Sequence, residues 1–235
     1  MLSIDALQLH RGGKAVLHGI SLRVPPGEVT ALLGANGAGK SSTVMAIAGA
    51  LPVSGGRIEV DGQALHDQRP ERVRSLGVAV VPEGHKVLGD LSVLDNLRAA
   101  ATLLPLAEVQ TGIDRMLAIF PELEAKLALP GRSLSGGQKQ MVCIAQALIG
   151  KPRYLAIDEL SLGLSPLIVK RLAEVVEQVA RDGVGVLLIE QFTTLALAIS
   201  SRAYVLERGR MAFEGTSDDL RQRPEILHSS YLAGG

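Results

Sequence analysis

One segment constrains this chain more than any other. The apolar run Val29 to Leu33 enters Gly34-Ala35-Asn36-Gly37-Ala38-Gly39-Lys40-Ser41-Ser42, and an apolar stretch of helical length follows to Leu51. Four free positions between the first glycine and Gly-Lys-Ser, set between strand and helix signals, match a phosphate-binding loop. The glycines let successive backbone N–H groups turn inward around phosphate oxygens. Lys40 supplies a compact cation, and Ser41 can ligate Mg²⁺ beside the positive end of a helix. The loop by itself predicts a nucleotide and suits kinases, GTPases and ATPases alike.

The surrounding pattern sets the fold class. Short β-type runs (SIDALQL, ISLRV, then VTALL after a Pro-Pro-Gly-Glu turn) predict an antiparallel β lobe at the N-terminal end. RIEV at 57 to 60 and LGVAVV at 76 to 81 read as further strands. Residues 92 to 129 are rich in Leu, Ala and Glu at helical spacing. A helix from about 135, a strand at 154 to 158, a helix at 166 to 181 and a strand at 184 to 190 then alternate, which implies parallel sheet covered by helices. On the 166 to 181 helix, Ile168, Leu172, Val175, Val176 and Val179 form a core stripe, with Lys170, Glu174, Glu177 and Arg181 away from it. A hairpin, AYVLE and MAFEG, and short polar helices close the chain. The expectation is an α/β fold, a mixed-sheet core with an antiparallel β lobe and a helical subdomain at about 84 to 150, within one domain spanning 1–235.

Composition narrows the partners. The 24 basic residues are balanced by 24 acidic ones, so no long-range field draws in nucleic acid or an anionic surface. A single cysteine, Cys143, excludes an internal disulfide framework and reads as a small packing residue. The histidines at 10, 18, 66, 85 and 228 show no metal-ligand spacing, and His85 reads as a solvated loop residue. The run Arg69 to Arg74 reads as a helix surface. No stretch reaches the roughly 18 apolar residues of a membrane span, and the opening residues do not read as a secretory leader.

Two further motifs fix the chemistry. Tyr154-Leu-Ala-Ile-Asp158-Glu159 is an apolar strand ending in two acids, which places Asp158 to hold Mg²⁺ and Glu159 to orient an attacking water. Between it and the phosphate loop lies Leu134-Ser135-Gly136-Gly137-Gln138 at the start of a helix signal. With this pentapeptide in place the chain resembles the ABC ATPase family over essentially its whole length, and so the phosphate-binding-loop NTPase fold of that family. The resemblance implies two such domains paired head to tail, each ATP lying between the phosphate loop of one and Ser135, Gly136, Gly137 and Gln138 of the other. It implies ATP and Mg²⁺ as ligands, Glu83 near the metal and the membrane-coupling surface, and Gln191 at the γ-phosphate. Permease subunits, a second ATPase subunit and, indirectly, an extracellular or periplasmic substrate-binding protein are the implied partners, with no nucleic acid. The implied location is cytoplasmic, on the inner face of the membrane.

Several positions depart from the family pattern. Glu83 stands where glutamine is usual, Gln191 where histidine is usual, and together they resemble the second of two ATPase chains in branched-chain amino acid importers. Phe192, in place of asparagine, and Leu160, in place of proline, fit that subgroup less well. The loop His10-Arg11-Gly-Gly lacks the tyrosine that commonly stacks on adenine, and Arg11 can stack there as a planar cation. Other readings stay open: the same engine with a urea, amide or lipid cargo, a regulatory partner subunit of low activity, or a soluble ABC ATPase acting on nucleic acid.

Overall fold

Strand residues alternate between two faces, and in this protein both faces of the central strands are apolar. The computed structural model describes residues 1–232, the side chains of 228, 231 and 232 excepted. The strands are β1 (Leu2–Arg11), β2 (Lys14–Val24), β3 (Val29–Leu33), β4 (Gly55–Val60), β5 (Gln63–Ala64), β6 (Val78–Val81), β7 (Tyr154–Asp158), β8 (Gly185–Glu190), β9 (Arg202–Glu207) and β10 (Arg210–Thr216). The helices are α1 (Lys40–Ile47), α2 (Pro70–Ser75), α3 (Val93–Ala100), α4 (Val109–Ile119), α5 (Gly136–Leu148), α6 (Pro166–Arg181), α7 (Thr193–Ile199), α8 (Ser217–Arg221) and α9 (Pro224–Leu232).

Two sheets result. β2-β1-β4-β5 form an antiparallel sheet, and β10-β9-β3-β8-β7-β6 form a second in which only β10 runs antiparallel. The lobe at the N-terminal end therefore recruits RIEV as its third strand, while VTALL leaves it for the centre of the parallel sheet. Alternation explains how the layers meet. Ala31, Leu33, Leu155, Ile157, Val186, Leu188, Ala203 and Val205 face one core with α5, α6 and α7. Their neighbours Leu32, Tyr154, Ala156, Leu187, Ile189, Tyr204 and Leu206 face another, shared with α1 and the antiparallel sheet.

The α6 stripe packs Leu172, Val175, Val176 and Val179 inward as their spacing requires, with Ile168 partly buried at the first turn and Glu177 only half exposed. The segment 92 to 129 is broken into α3, α4 and short 3₁₀ turns, because Pro105 and Pro121 interrupt it. Two sequence readings differ from the structure. In α2, Val73 is buried and Arg74 donates to the carbonyls of Ala100 (2.8 Å) and Gln146 (3.0 Å), so this helix clamps the ends of α3 and α5 rather than presenting a plain charged surface. His85 has a left-handed φ of 50° and is half-buried beside the start of α5, where burial, with Lys139 nearby, lowers its pKa. Cys143 packs in the core, and burial pushes its thiol up to about 12.

The β4–β5 turn supplies a pH-dependent tether. Asp61 and Gly62, both left-handed at φ 49° and 79°, form the turn, and the Asp61 carboxylate accepts from the Tyr154 hydroxyl (3.0 Å), the Met1 ammonium and the Arg153 guanidinium. These donors, the Met1 ammonium first, hold its carboxyl below the ordinary carboxylate range. A depressed folded-state pKa stabilises the protein above the unfolded value and loses that contribution as pH falls through the folded one. Because the side chain is 32% exposed, Asp61→Asn should cost only about 0.5–1 kcal/mol at pH 7. Urea unfolding should show that gap shrinking below about pH 4; a gap constant down to pH 3 excludes the ionic account.

Candidate functional site

The parallel strands β3, β6, β7 and β8 deliver their C-terminal ends to one edge, and ligands of open α/β sheets bind at that edge. The loop after β3 carries residues 34 to 39. Its entry needs glycine: Gly34 has φ 153°, and a Cβ there would lie 2.3 Å from the Leu206 carbonyl oxygen. Ala38 turns into the core, and its carbonyl accepts from Gly209 N–H in the β9–β10 turn, which buttresses the loop from behind. Gly39, at φ 112°, caps α1.

Arg11, Asn36, Gly37, Gly39, Lys40, Ser41, Ser42, Glu83, Glu159 and Gln191 line one cleft of about 540 Å³, joined by Val16 and Leu162. The loop residues Gly34, Ala35 and Ala38 contribute backbone rather than lining. Lys40 is 5% exposed, and its ammonium donates to the carbonyls of Gly34 (2.8 Å) and Ala35 (3.0 Å), so it spans the mouth of the loop. Burial lowers its pKa, opposed by the surrounding carboxylates Glu159, Asp158, Glu190 and Glu83. Four acids around one lysine leave local negative charge, into which a polyphosphate enters only with further cations.

Asp158 ends β7, 4% exposed, and among the described residues its Oδ1 has no hydrogen-bond partner. Burial raises its pKa, with a hydrogen bond from Ser41 pulling the other way. A serine hydroxyl beside a buried carboxylate with an unused oxygen suits a hard divalent cation. No group of three or more His, Cys, Asp or Glu fit to hold a metal occurs among the described residues. A cation there needs its remaining oxygens from phosphate and water.

Glu159 follows in left-handed conformation, φ 60°, and its N–H donates to the Ile189 carbonyl at 3.0 Å, so the backbone is locked to the neighbouring strand while the side chain enters the cleft. Burial raises its pKa, and Glu83 and Asp158 add to the effect. Leu160 is fully buried in the main core, which accounts for an apolar residue at that position. Phe192 is 56% exposed.

Ser135, Gly136, Gly137 and Gln138 lie at the start of α5 and are not among the cleft's lining residues. Ser135 Oγ accepts from Gln138 N–H (3.3 Å) and Gln138 Oε1 accepts from Ser135 N–H (3.1 Å), a capping box. Part of this pentapeptide's pattern is thus helix initiation. Gly137 also permits close packing, since a Cβ would sit 2.8 Å from Ile168. The Ser135 hydroxyl proton and the first N–H groups of α5 remain unused by the helix itself.

The sequence reading missed Glu190. It is 1% exposed at the end of β8, and its carboxylate accepts from Ser161 N–H and Ser161 Oγ, both at 3.0 Å. The available signal was an acid closing an apolar strand, the same signal that marked Asp158.

Known proteins agree with this geometry. The family model described as ABC transporter matches residues 17–161. The high-affinity branched-chain amino acid transport ATP-binding protein BraG of Pseudomonas aeruginosa is 38% identical over 234 residues, covering 100% of each chain. The probable branched-chain amino acid transport ATP-binding protein LivF of Archaeoglobus fulgidus is 34% identical over 95% of this chain and 96% of its own. A solved structure of the ATP binding subunit of an ABC transporter superposes with a TM-score of 0.86 at 32% identity, covering 99% and 98% of the two chains. The phosphate loop, the paired acids and the capped helix start thus sit in a fold shared along their full length, and this chain belongs to the ABC transporter ATP-binding family.

Proposed function

We propose that this ATPase powers import of branched-chain, hydrophobic amino acids through membrane permeases. The observation that carries the site assignment is the single cleft that gathers Lys40, Ser41, Glu159 and Gln191, four residues drawn from three separate loops or helix starts. Lys40 and the loop N–H groups bind the phosphates, and Asn36 and Gly37 shape the rim. Arg11 stacks on the base. Ser41 and Asp158 would hold Mg²⁺, with Glu83 at its outer side, and the ion would neutralise charge on the β- and γ-phosphates. Glu159 accepts a proton from the attacking water and aims it, and Gln191 hydrogen-bonds the γ-phosphate.

The cleft is half a site. Ser135, Gly136 and Gly137 lie outside it, so their free donors serve a nucleotide held by a second ATPase subunit, and exposed Leu162 and Leu167 flank the face that pairs. Docking falls to residues around 84 to 100 of the helical subdomain. A groove of about 400 Å³ between α2, β6, α3 and α5 is lined by Val73, Arg74, Lys86, Leu88 and Ala100, next to the loop of Glu83, and fits a short permease helix. No helix among the described residues is long and apolar enough to cross a membrane, which is consistent with attachment through such partners at the cytoplasmic face. The cargo assignment draws on the named relatives BraG and LivF.

Capture of the tagged chain from native membranes, followed by mass spectrometry, tests this reading. Two permeases, a second ATPase and an amino-acid-binding protein are the expected companions; a ribosomal or DNA-bound pool would overturn it.

A further inference from the structure

Glu190 is a buried acid that does not itself line the cleft, although its charge acts on Lys40, and no ion pair to it occurs among the described residues. Among the described residues, the hydrogen bonds to its carboxylate come from two loops. Ser161 gives both its N–H and its hydroxyl at 3.0 Å, from the loop that follows Glu159. Phe192 N–H (3.5 Å) and Gln191 N–H give the other contacts, from the loop that follows β8. One residue upstream, Ile189 accepts the N–H of Glu159. The ends of β7 and β8 are therefore laced at successive positions, first by a sheet-type bond and then by this carboxylate.

A buried carboxylate is expensive to desolvate and persists only where several donors meet it. Those donors belong to the two loops that also carry Glu159 and Gln191, both of which line the cleft. The packed strand ends fix the backbones of Asp158 and Ile189 opposite each other, and the Glu159 N–H bond to Ile189 carries the pairing one residue further; beyond that the strand pairing ends. We infer that Glu190 is a positioning residue, which staples the loop of Glu159 to the loop of Gln191 and so sets their separation across the reacting phosphate. A shift of about 1 Å in such a pair is enough to cost on the order of a hundredfold in rate without changing what is bound. The staple reaches the reaction only through these two residues, so its loss appears in kcat rather than in nucleotide affinity.

The inference rests on the roles assigned above to Glu159 and Gln191. It is tested on the full chain, with its membrane partners present where wild-type turnover needs them, by measuring ATP Kd and kcat for Glu190→Gln, Ser161→Ala, their double variant, and Glu159→Gln as control. Glu190→Gln keeps size and an acceptor oxygen but converts the other oxygen into a donor facing N–H and O–H groups. It is expected to lower kcat about 10- to 100-fold with Kd within about threefold. Ser161→Ala should lower kcat about 2- to 10-fold, and the double variant should be no worse than about Glu190→Gln alone, because both cut one connection. Glu190→Gln with wild-type kcat, or a double variant whose losses multiply, overturns the staple while Glu159→Gln stays inactive. Glu159→Gln that still turns over removes the underlying assignment instead.

Discussion

Glu159→Gln abolishes ATP turnover, by at least about a hundredfold, while the Kd for ATP stays within about threefold of wild type. The backbone of Glu159 is held by its N–H bond to Ile189 and by a left-handed φ of 60°, neither of which depends on the side-chain charge. The isosteric amide therefore occupies the same space at the cleft wall. It cannot accept a proton from water, and one fewer carboxylate around Lys40 eases the approach of phosphate. Steady-state phosphate release and equilibrium nucleotide binding measured on the same preparation separate the two effects. Turnover within tenfold of wild type would remove Glu159 from the role of base.

Lys40→Ala acts on binding. The Lys40 ammonium is buried at the loop mouth, tied to Gly34 and Ala35 carbonyls that a phosphate-bound lysine can exchange for phosphate oxygens. Without it, the polyphosphate meets Asp158, Glu159, Glu190 and Glu83 with no resident cation among them. ATP affinity should fall about a hundredfold or more, near 3 kcal/mol. Lys40→Arg should not restore it, since a planar guanidinium does not reproduce the compact ammonium that bonds the Gly34 and Ala35 carbonyls together. Calorimetric titration of ATP checks both variants; a Kd within threefold for Lys40→Ala contradicts the assignment.

Much of this was legible because the informative signals are local. VTALL and YLAID lie between breakers and are mostly apolar, so they read as strands and are found at those positions. Pro166 and a three-four apolar spacing mark α6 to the residue. The strands β1 and β2 run longer than their apolar cores, since irregular registers between them break the alternation on which the reading depends. Sheet membership was not legible: β3 and β4 carry the same kind of signal, and only long-range pairing sends them to different sheets.

The site divides in the same way. Its loop, acids and capped helix announce themselves through residues adjacent in sequence. The Glu190 staple spans 29 residues, Arg74 reaches the end of α5 across 72, and the packing of His85 beside Gly136 depends on how two loops meet, so none of these has a local signature. The serine and glutamine of the capping box show the reverse, a pattern whose chemistry looked wholly functional and turned out to be in part structural.

The central claim, that ATP hydrolysis by this chain drives branched-chain amino acid import, is tested most directly by uptake of radiolabelled leucine, isoleucine and valine. Cells would carry either the wild-type chain or Glu159→Gln at equal abundance as their single copy. The account predicts that uptake of all three falls to background with Glu159→Gln while lysine uptake is unchanged; branched-chain uptake that persists with the variant would contradict it.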